Sequence, residues 1–135
     1  MITVINKIIP KQPPEKEYGN KEYKRFLIKH PRNNENNFVE KRSTQMLYRL
    51  IEGNGKALYL FGIEDNGEVI GMTKKELDNT IIYLKKITKN ISAKIKNLRV
   101  YNGGKGFVCS ARISLPLQIL NDILDSLNLE PYKDV

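Results

Sequence analysis

Tyr59-Leu60-Phe61-Gly62-Ile63, followed by Glu64-Asp65-Asn66-Gly67 and then Glu68-Val69-Ile70-Gly71, constrains this chain more than any other stretch. An apolar run of five residues reads as a buried strand, and the acidic, polar tetrapeptide after it reads as a turn. Asn66-Gly67 tolerates positive φ, so the spacing predicts a primed hairpin turn and a short return strand ending at Gly71. Thr73 and Glu76 then stand three apart, the signature of a capping box that starts a helix. A strand, an acidic hairpin and a capped helix are therefore expected in immediate succession.

The flanks extend this unit. Residues 1–20 carry Ile2, Val4, Ile5, Ile8 and Ile9, then Pro10, Pro13 and Pro14, and predict an extended arm or linker. A single domain is expected over 21–130 and a polar tail over 131–135. Glu22 to His30 reads as a strand, Arg32 to Asn37 as a loop, and Phe38 to Glu52 as a helix stopped by Gly53-Asn54-Gly55. Leu77, Ile81, Leu84 and Ile91 recur at helical spacing behind the capping box. Ala93–Tyr101 and Phe107–Leu115 read as strands joined through a glycine-rich loop. Pro116 precedes Leu117, Leu120, Leu124 and Leu127, which share one face of a third helix. The expected fold class is α+β, a single domain with a small mixed or antiparallel sheet and about three helices.

With 135 residues, one domain can bury a core without a disulfide or metal, and Cys109, the sole cysteine, excludes an intramolecular disulfide. No apolar run has the length of a membrane span, and the amino terminus lacks a signal peptide's pattern, so a soluble, cytoplasmic protein is expected. The net charge of +8 is concentrated: residues 74–112 hold 10 Lys/Arg and 2 Asp/Glu. A basic stretch of this kind suits a nucleic-acid partner, and equally a lysine-rich surface with no ligand.

Catalytic motifs are sparse. No G-x-x-x-x-G-K-[ST] loop occurs, since Gly103-Gly104-Lys105-Gly106 lies between two strands. His30 has no Cys or His partner nearby, and Cys109 falls in an alternating strand where a small core side chain is expected. The carboxylates offer one opening. If the strand from Glu22 pairs beside the strand from residue 57, Glu17, Glu22 and Asp65 can converge, and three carboxylates can hold Mg²⁺ or Mn²⁺ at a phosphodiester. The plainer expectation is that Glu22 pairs with a cation and Asp65 satisfies the turn.

Pro13-Pro14-Glu15, Gly19-Asn20, Glu22-Tyr23-Lys24, Thr44-Gln45-Met46, Arg49-Leu50 with Glu52-Gly53, and Gly62 to Gly67 with Gly71 stand in an order that closely resembles one family. It is the GTP-binding protein one/two family of elongation-factor-like GTPases, in the region before the G domain. The resemblance runs from residue 13 to about residue 95, and more loosely to about 115. It implies an RNA- or ribosome-facing accessory domain acting in translation or RNA quality control, without GTPase activity of its own. A more distant resemblance, through Glu22-x-Lys24 and Leu58 to Asp65 with Gly67 and Gly71, is to the Schlafen AlbA-type domain. That likeness implies an alternative, a metal-dependent endoribonuclease using Glu17, Glu22 and Asp65.

The expected function is thus RNA or ribosome binding, with no cofactor and no catalytic residue, and with tRNA, rRNA or mRNA as partner. Candidate contacts are Lys24, Arg25, Lys85, Lys86, Lys89, Lys94, Lys96, Arg99, Lys105 and Arg112, with Tyr101 placed to stack on a base. Phe107 is more simply a packing residue. A third reading is a protein-interaction domain that docks on a translational GTPase or another translation factor through its acidic third helix.

Overall fold

The computed structural model describes residues 2–128; the expected tail, 131–135, and the last two residues of the expected domain lie outside them. The elements run β1 (Ile2–Ile5), β2 (Lys21–Lys24), α1 (Glu35–Glu52), β3 (Lys56–Phe61), α2 (Lys74–Asn90), β4 (Lys94–Tyr101), β5 (Val108–Ser114) and α3 (Leu117–Ser126). They form one five-stranded sheet in the order β1-β4-β5-β3-β2. β1 pairs with β4 and β2 with β3 in parallel, whereas β5 is antiparallel to both of its neighbours. Three helices and a mixed sheet in one small domain make an α+β fold, as expected.

Alternation along the strands separates the two faces. Ala57, Tyr59 and Phe61 of β3, Cys109, Ala111 and Ile113 of β5, and Leu98 and Val100 of β4 point to one side. There they meet Met46 and Leu50 of α1, Leu77, Leu84 and Ile87 of α2, and Leu120 and Leu124 of α3 in one core. All three helices therefore cover the same face of the sheet. The capping box at Thr73 forms in full: its side chain accepts from the Glu76 N–H, and the Glu76 carboxylate accepts from the Thr73 N–H.

Several local expectations change. The strand from Glu22 ends at Lys24 rather than His30. α1 begins at Glu35, inside the expected loop, because the Asn34 side chain accepts from the N–H groups of Asn36 and Asn37 and caps it. The turn after β3 is not primed. Gly67 has φ 92° while Asn66 stays at negative φ, and the Gly67 N–H donates to the Glu64 carbonyl at 2.8 Å. That pattern is an ordinary turn followed by a glycine bulge, and the return strand shrinks to a single bridge, Ile63 to Val69. Leu127, expected on the buried face of α3, lies just past its end and is exposed.

The first twenty residues contain a strand, and the rest of that stretch is held rather than loose. Because β1 and β2 sit at opposite edges, the connection between them must cross the sheet. It crosses the face away from the helices at one end, where Ile9 packs with Tyr23, Ile63, Val69, Val108 and Tyr101. The turn then grips it: the Gln12 N–H donates to the Gly67 carbonyl at 2.9 Å and the Glu15 N–H to the Asp65 carbonyl at 2.7 Å. A Cβ on residue 67 would stand 1.8 Å from the Gln12 carbonyl oxygen, so glycine is required there by approach as well as by φ.

Cys109 is fully buried, and burial pushes its thiol pKa up to about 12. Native protein should therefore resist thiol alkylation at neutral pH and react fully only once denatured, which pulsed labelling with mass spectrometry would read. Leu84→Ala, in the centre of the same core, should cost about 2–5 kcal/mol in chemical denaturation.

Candidate nucleic-acid interface

The face of the sheet opposite the helices is where the chain's chemistry is most concentrated. Register assigns its residues. Lys56 and Lys94 both stand opposite Ser114, Arg112 stands opposite Leu58, Leu58 pairs with Lys21, and Arg99 pairs with Ser110. Between Ile95 and Asn97 the β4–β5 register slips by one residue. This bulge leaves Lys96 and Asn97 together opposite Arg112, and it restores Leu98 to the core side. Without it, strict alternation from Ile95 would turn Asn97 inward and Leu98 outward.

Six cations consequently share the open face: Lys21, Lys56, Lys94, Lys96, Arg99 and Arg112. All six are exposed, and none forms an ion pair among the described residues. A cavity of about 390 Å³ lies among them, lined by Asn20, Lys56, Leu58, Lys96, Arg112 and Ser114. No Asp or Glu projects from the strands onto this face. The acidic residues Glu64, Asp65 and Glu68 lie in the turn at the opposite end, where the connection crosses.

Four of the expected RNA contacts, Lys94, Lys96, Arg99 and Arg112, belong to this patch. Lys21 and Lys56 belong to it as well; sequence reasoning missed both, although each immediately precedes a stretch read as a strand, which was the available signal. The remaining candidates lie elsewhere. Lys85, Lys86 and Lys89 are on α2, behind the sheet, where Lys86 is 3.4 Å from Glu35 and stacks 5.0 Å over Tyr83. Lys24 is 3.8 Å from Glu22, and Arg25 is 3.2 Å from Glu64. Lys105 is exposed at the β4–β5 loop, and Tyr101 is half-buried beneath the crossing segment. Phe107 packs against the main core.

The carboxylates do not gather as a metal site. Among the described residues no group of three or more His, Cys, Asp or Glu is placed to hold a metal ion. Glu17 is exposed, and its backbone carbonyl accepts from the Tyr48 hydroxyl. Asp65 is exposed in the turn. Glu22 is buried on the helix side of β2 and binds Arg49 at 2.9 Å, both side chains being about 95% inaccessible. The neighbour of Glu22 is Glu15, not Glu17.

Arg49 organises this region. Its Nε donates to Glu22, its Nη1 to the carbonyls of Tyr18 and Gly19 at 3.1 and 2.9 Å, and its Nη2 to the Lys16 carbonyl at 2.9 Å. Glu15 lies 4.0 Å from the guanidinium and accepts from the Tyr23 N–H. Burial, opposed by that hydrogen bond and assisted by the nearby Glu22 and Asp65 charges, holds the Glu15 carboxyl above its ordinary pKa. The Tyr59 hydroxyl, buried beside these charges, has no hydrogen-bond partner among the described residues, and burial with the Glu22 charge keeps it protonated. A guanidinium this fully satisfied, facing a buried carboxylate, is a structural clamp.

Removing one member of the buried pair should be expensive. Arg49→Ala should cost about 3–5 kcal/mol and speed tryptic cleavage after Lys16, whereas replacing both Arg49 and Glu22 by leucine should cost less. The pH dependence has a definite sign. Between 4.5, where Glu15 titrates when unfolded, and its higher folded value, the folded chain keeps a proton that the unfolded chain has lost. The Glu15 contribution to stability is therefore fully present below 4.5 and declines as pH rises through that window. Glu15→Gln should flatten that part of a urea-midpoint-versus-pH profile.

Comparison with known proteins adds a relationship. GTP-binding protein 2 of mouse and GTP-binding protein 2 of human are each 39% identical to the chain over 90 residues. The aligned stretch covers 67% of this chain and 14% of each relative, so the chain spans a small part of the proteins it matches. No protein-family model matches the chain. Over two thirds of its length, then, the chain resembles a segment of the GTP-binding protein family.

Proposed function

We propose that this chain is an RNA- or ribosome-binding accessory domain of the translational-GTPase type, acting in translation or RNA quality control in the cytoplasm. The observation that carries the reading is the open sheet face, where six cations form no ion pair among the described residues and three of them, Lys56, Lys96 and Arg112, line a cavity free of carboxylates. Phosphates are the ligands such a surface suits, because several lysines and arginines held by a rigid sheet neutralise adjacent backbone charges and release counterions together. The resemblance to GTP-binding protein 2 supports the setting. By its name that relative binds GTP. This sequence contains no phosphate-binding loop, so the function proposed here is contact with RNA, not nucleotide hydrolysis. No helix of the described residues is long and apolar enough to cross a membrane.

A metal-dependent nuclease finds less support, because Arg49 already engages Glu22 and the proposed trio is not assembled. A docking role for α3 rests on Asp122 and Asp125, which are exposed, while Leu120 and Leu124 are committed to the core.

The reading predicts binding of purified protein to tRNA or ribosomal RNA with a steep salt dependence. If all six cations meet phosphates, the slope of log affinity against log salt approaches about −5 on a duplex. Lys56→Glu combined with Arg112→Glu should lower affinity and reduce the slope by about 2. Their exposure should keep the stability change within about 0.5 kcal/mol. Lys85→Glu with Lys89→Glu, behind the sheet, should weaken binding less. The opposite ranking, or binding indifferent to salt, would count against the proposal.

A further inference from the structure

We infer that the open face is built for the sugar-phosphate surface of double-helical RNA rather than for single strands; this rests on the RNA-binding reading above and specifies its ligand. The first ground is the shape of the charge. The six cations stand on four adjacent strands: Lys94, Lys96 and Arg99 on β4, Arg112 on β5, Lys56 on β3 and Lys21 on β2. With neighbouring strands about 4.8 Å apart, β4 and β2 are separated by about 14 Å, and Lys94 and Arg99 by about 15 Å along β4. The cations thus fill an area as wide as it is long. A single backbone presents its phosphates along a line, whereas an A-form duplex presents two backbones across a wide, shallow minor groove.

The second ground is what lies between the cations. Leu58, Asn97, Ser110 and Ser114 occupy the intervening positions. None offers the flat aromatic plate on which single-strand binders stack unpaired bases. The aromatics that do point to this side, Tyr23 and Tyr101, lie at the end covered by the crossing segment, packed with Ile9, Ile63 and Val108. The serine hydroxyls and the Asn97 amide are instead donors and acceptors of the size that meets a 2′-hydroxyl. The two flanks of the patch then have distinct tasks. Lys94, Lys96 and Arg99 on β4 with Arg112 on β5 follow one backbone, and Lys56 on β3 with Lys21 on β2 reach the other.

Fluorescence anisotropy with three labelled probes tests this: a blunt RNA duplex, one of its strands made unable to fold, and the DNA duplex of matching sequence, all at one salt concentration. The duplex RNA should bind at least about tenfold tighter than the single strand, and tighter than the DNA duplex, which lacks A-form geometry and the 2′-hydroxyl. Lys21→Ala with Lys56→Ala removes one flank and should bring the duplex down to the affinity of the single strand. Equal binding of both RNAs, tighter binding of the single strand, or a duplex preference that survives the flank variant would overturn this inference while leaving RNA binding intact. Failure of every probe to bind at low salt would instead overturn the RNA-binding reading itself.

Discussion

The side chain of Arg49 joins three parts of the chain that share no secondary structure. From the last turn of α1 it neutralises Glu22 on β2 and takes the carbonyls of Lys16, Tyr18 and Gly19. Those carbonyls belong to the segment that must travel from one sheet edge to the other. Such a segment forms no ladder of its own, and its backbone groups need partners wherever they are shielded from water. Arg49 supplies several donors in one rigid fork, and the turn at Asp65–Gly67 supplies the acceptors for Gln12 and Glu15. The placement of β2 at its edge, and of everything that pairs through it, depends on this clamp.

One consequence is a division of the non-helical face. At the end where β1, β2, β3 and β4 finish, the crossing segment and the turn cover the sheet with apolar contacts and acidic side chains. At the other end none of the described residues covers it, and there the six cations collect. Covering the first end is what leaves the second free. The cations do not repel the fold apart because each is solvated, and the strands space them by fixed steps.

Much of the fold was legible because it is local. The Thr73–Glu76 capping box, the helical period of Leu77, Leu84 and Ile87, and the alternating strands about the Gly103–Gly106 loop all depend on residues within a few positions of one another. Expectations failed where a neighbour in space overruled a neighbour in sequence. Glu17 looked well spaced for a carboxylate cluster, yet the chain's path brings Glu15 beside Glu22. Asn66-Gly67 suggested a primed turn, but only Gly67 takes positive φ, and it does so against Gln12. The lysines of the basic stretch, continuous from 74 to 112 in sequence, divide between a helix on one side of the sheet and strands exposed on the other.

By itself, the amino-acid order determined the elements, the caps and which side chains must be buried, since periodicity and hydrogen-bonding chemistry act over one or two turns of chain. Tertiary structure decided which cations act together. The sequence says that Lys96 and Arg112 alternate with apolar neighbours. It does not say that all three helices fall on one side, that β1 pairs at the far edge, or that a single bulge in β4 sets Lys96 and Arg99 on the same surface. Those outcomes follow from packing one continuous core and from threading a connection across the opposite face. No local pattern records either requirement.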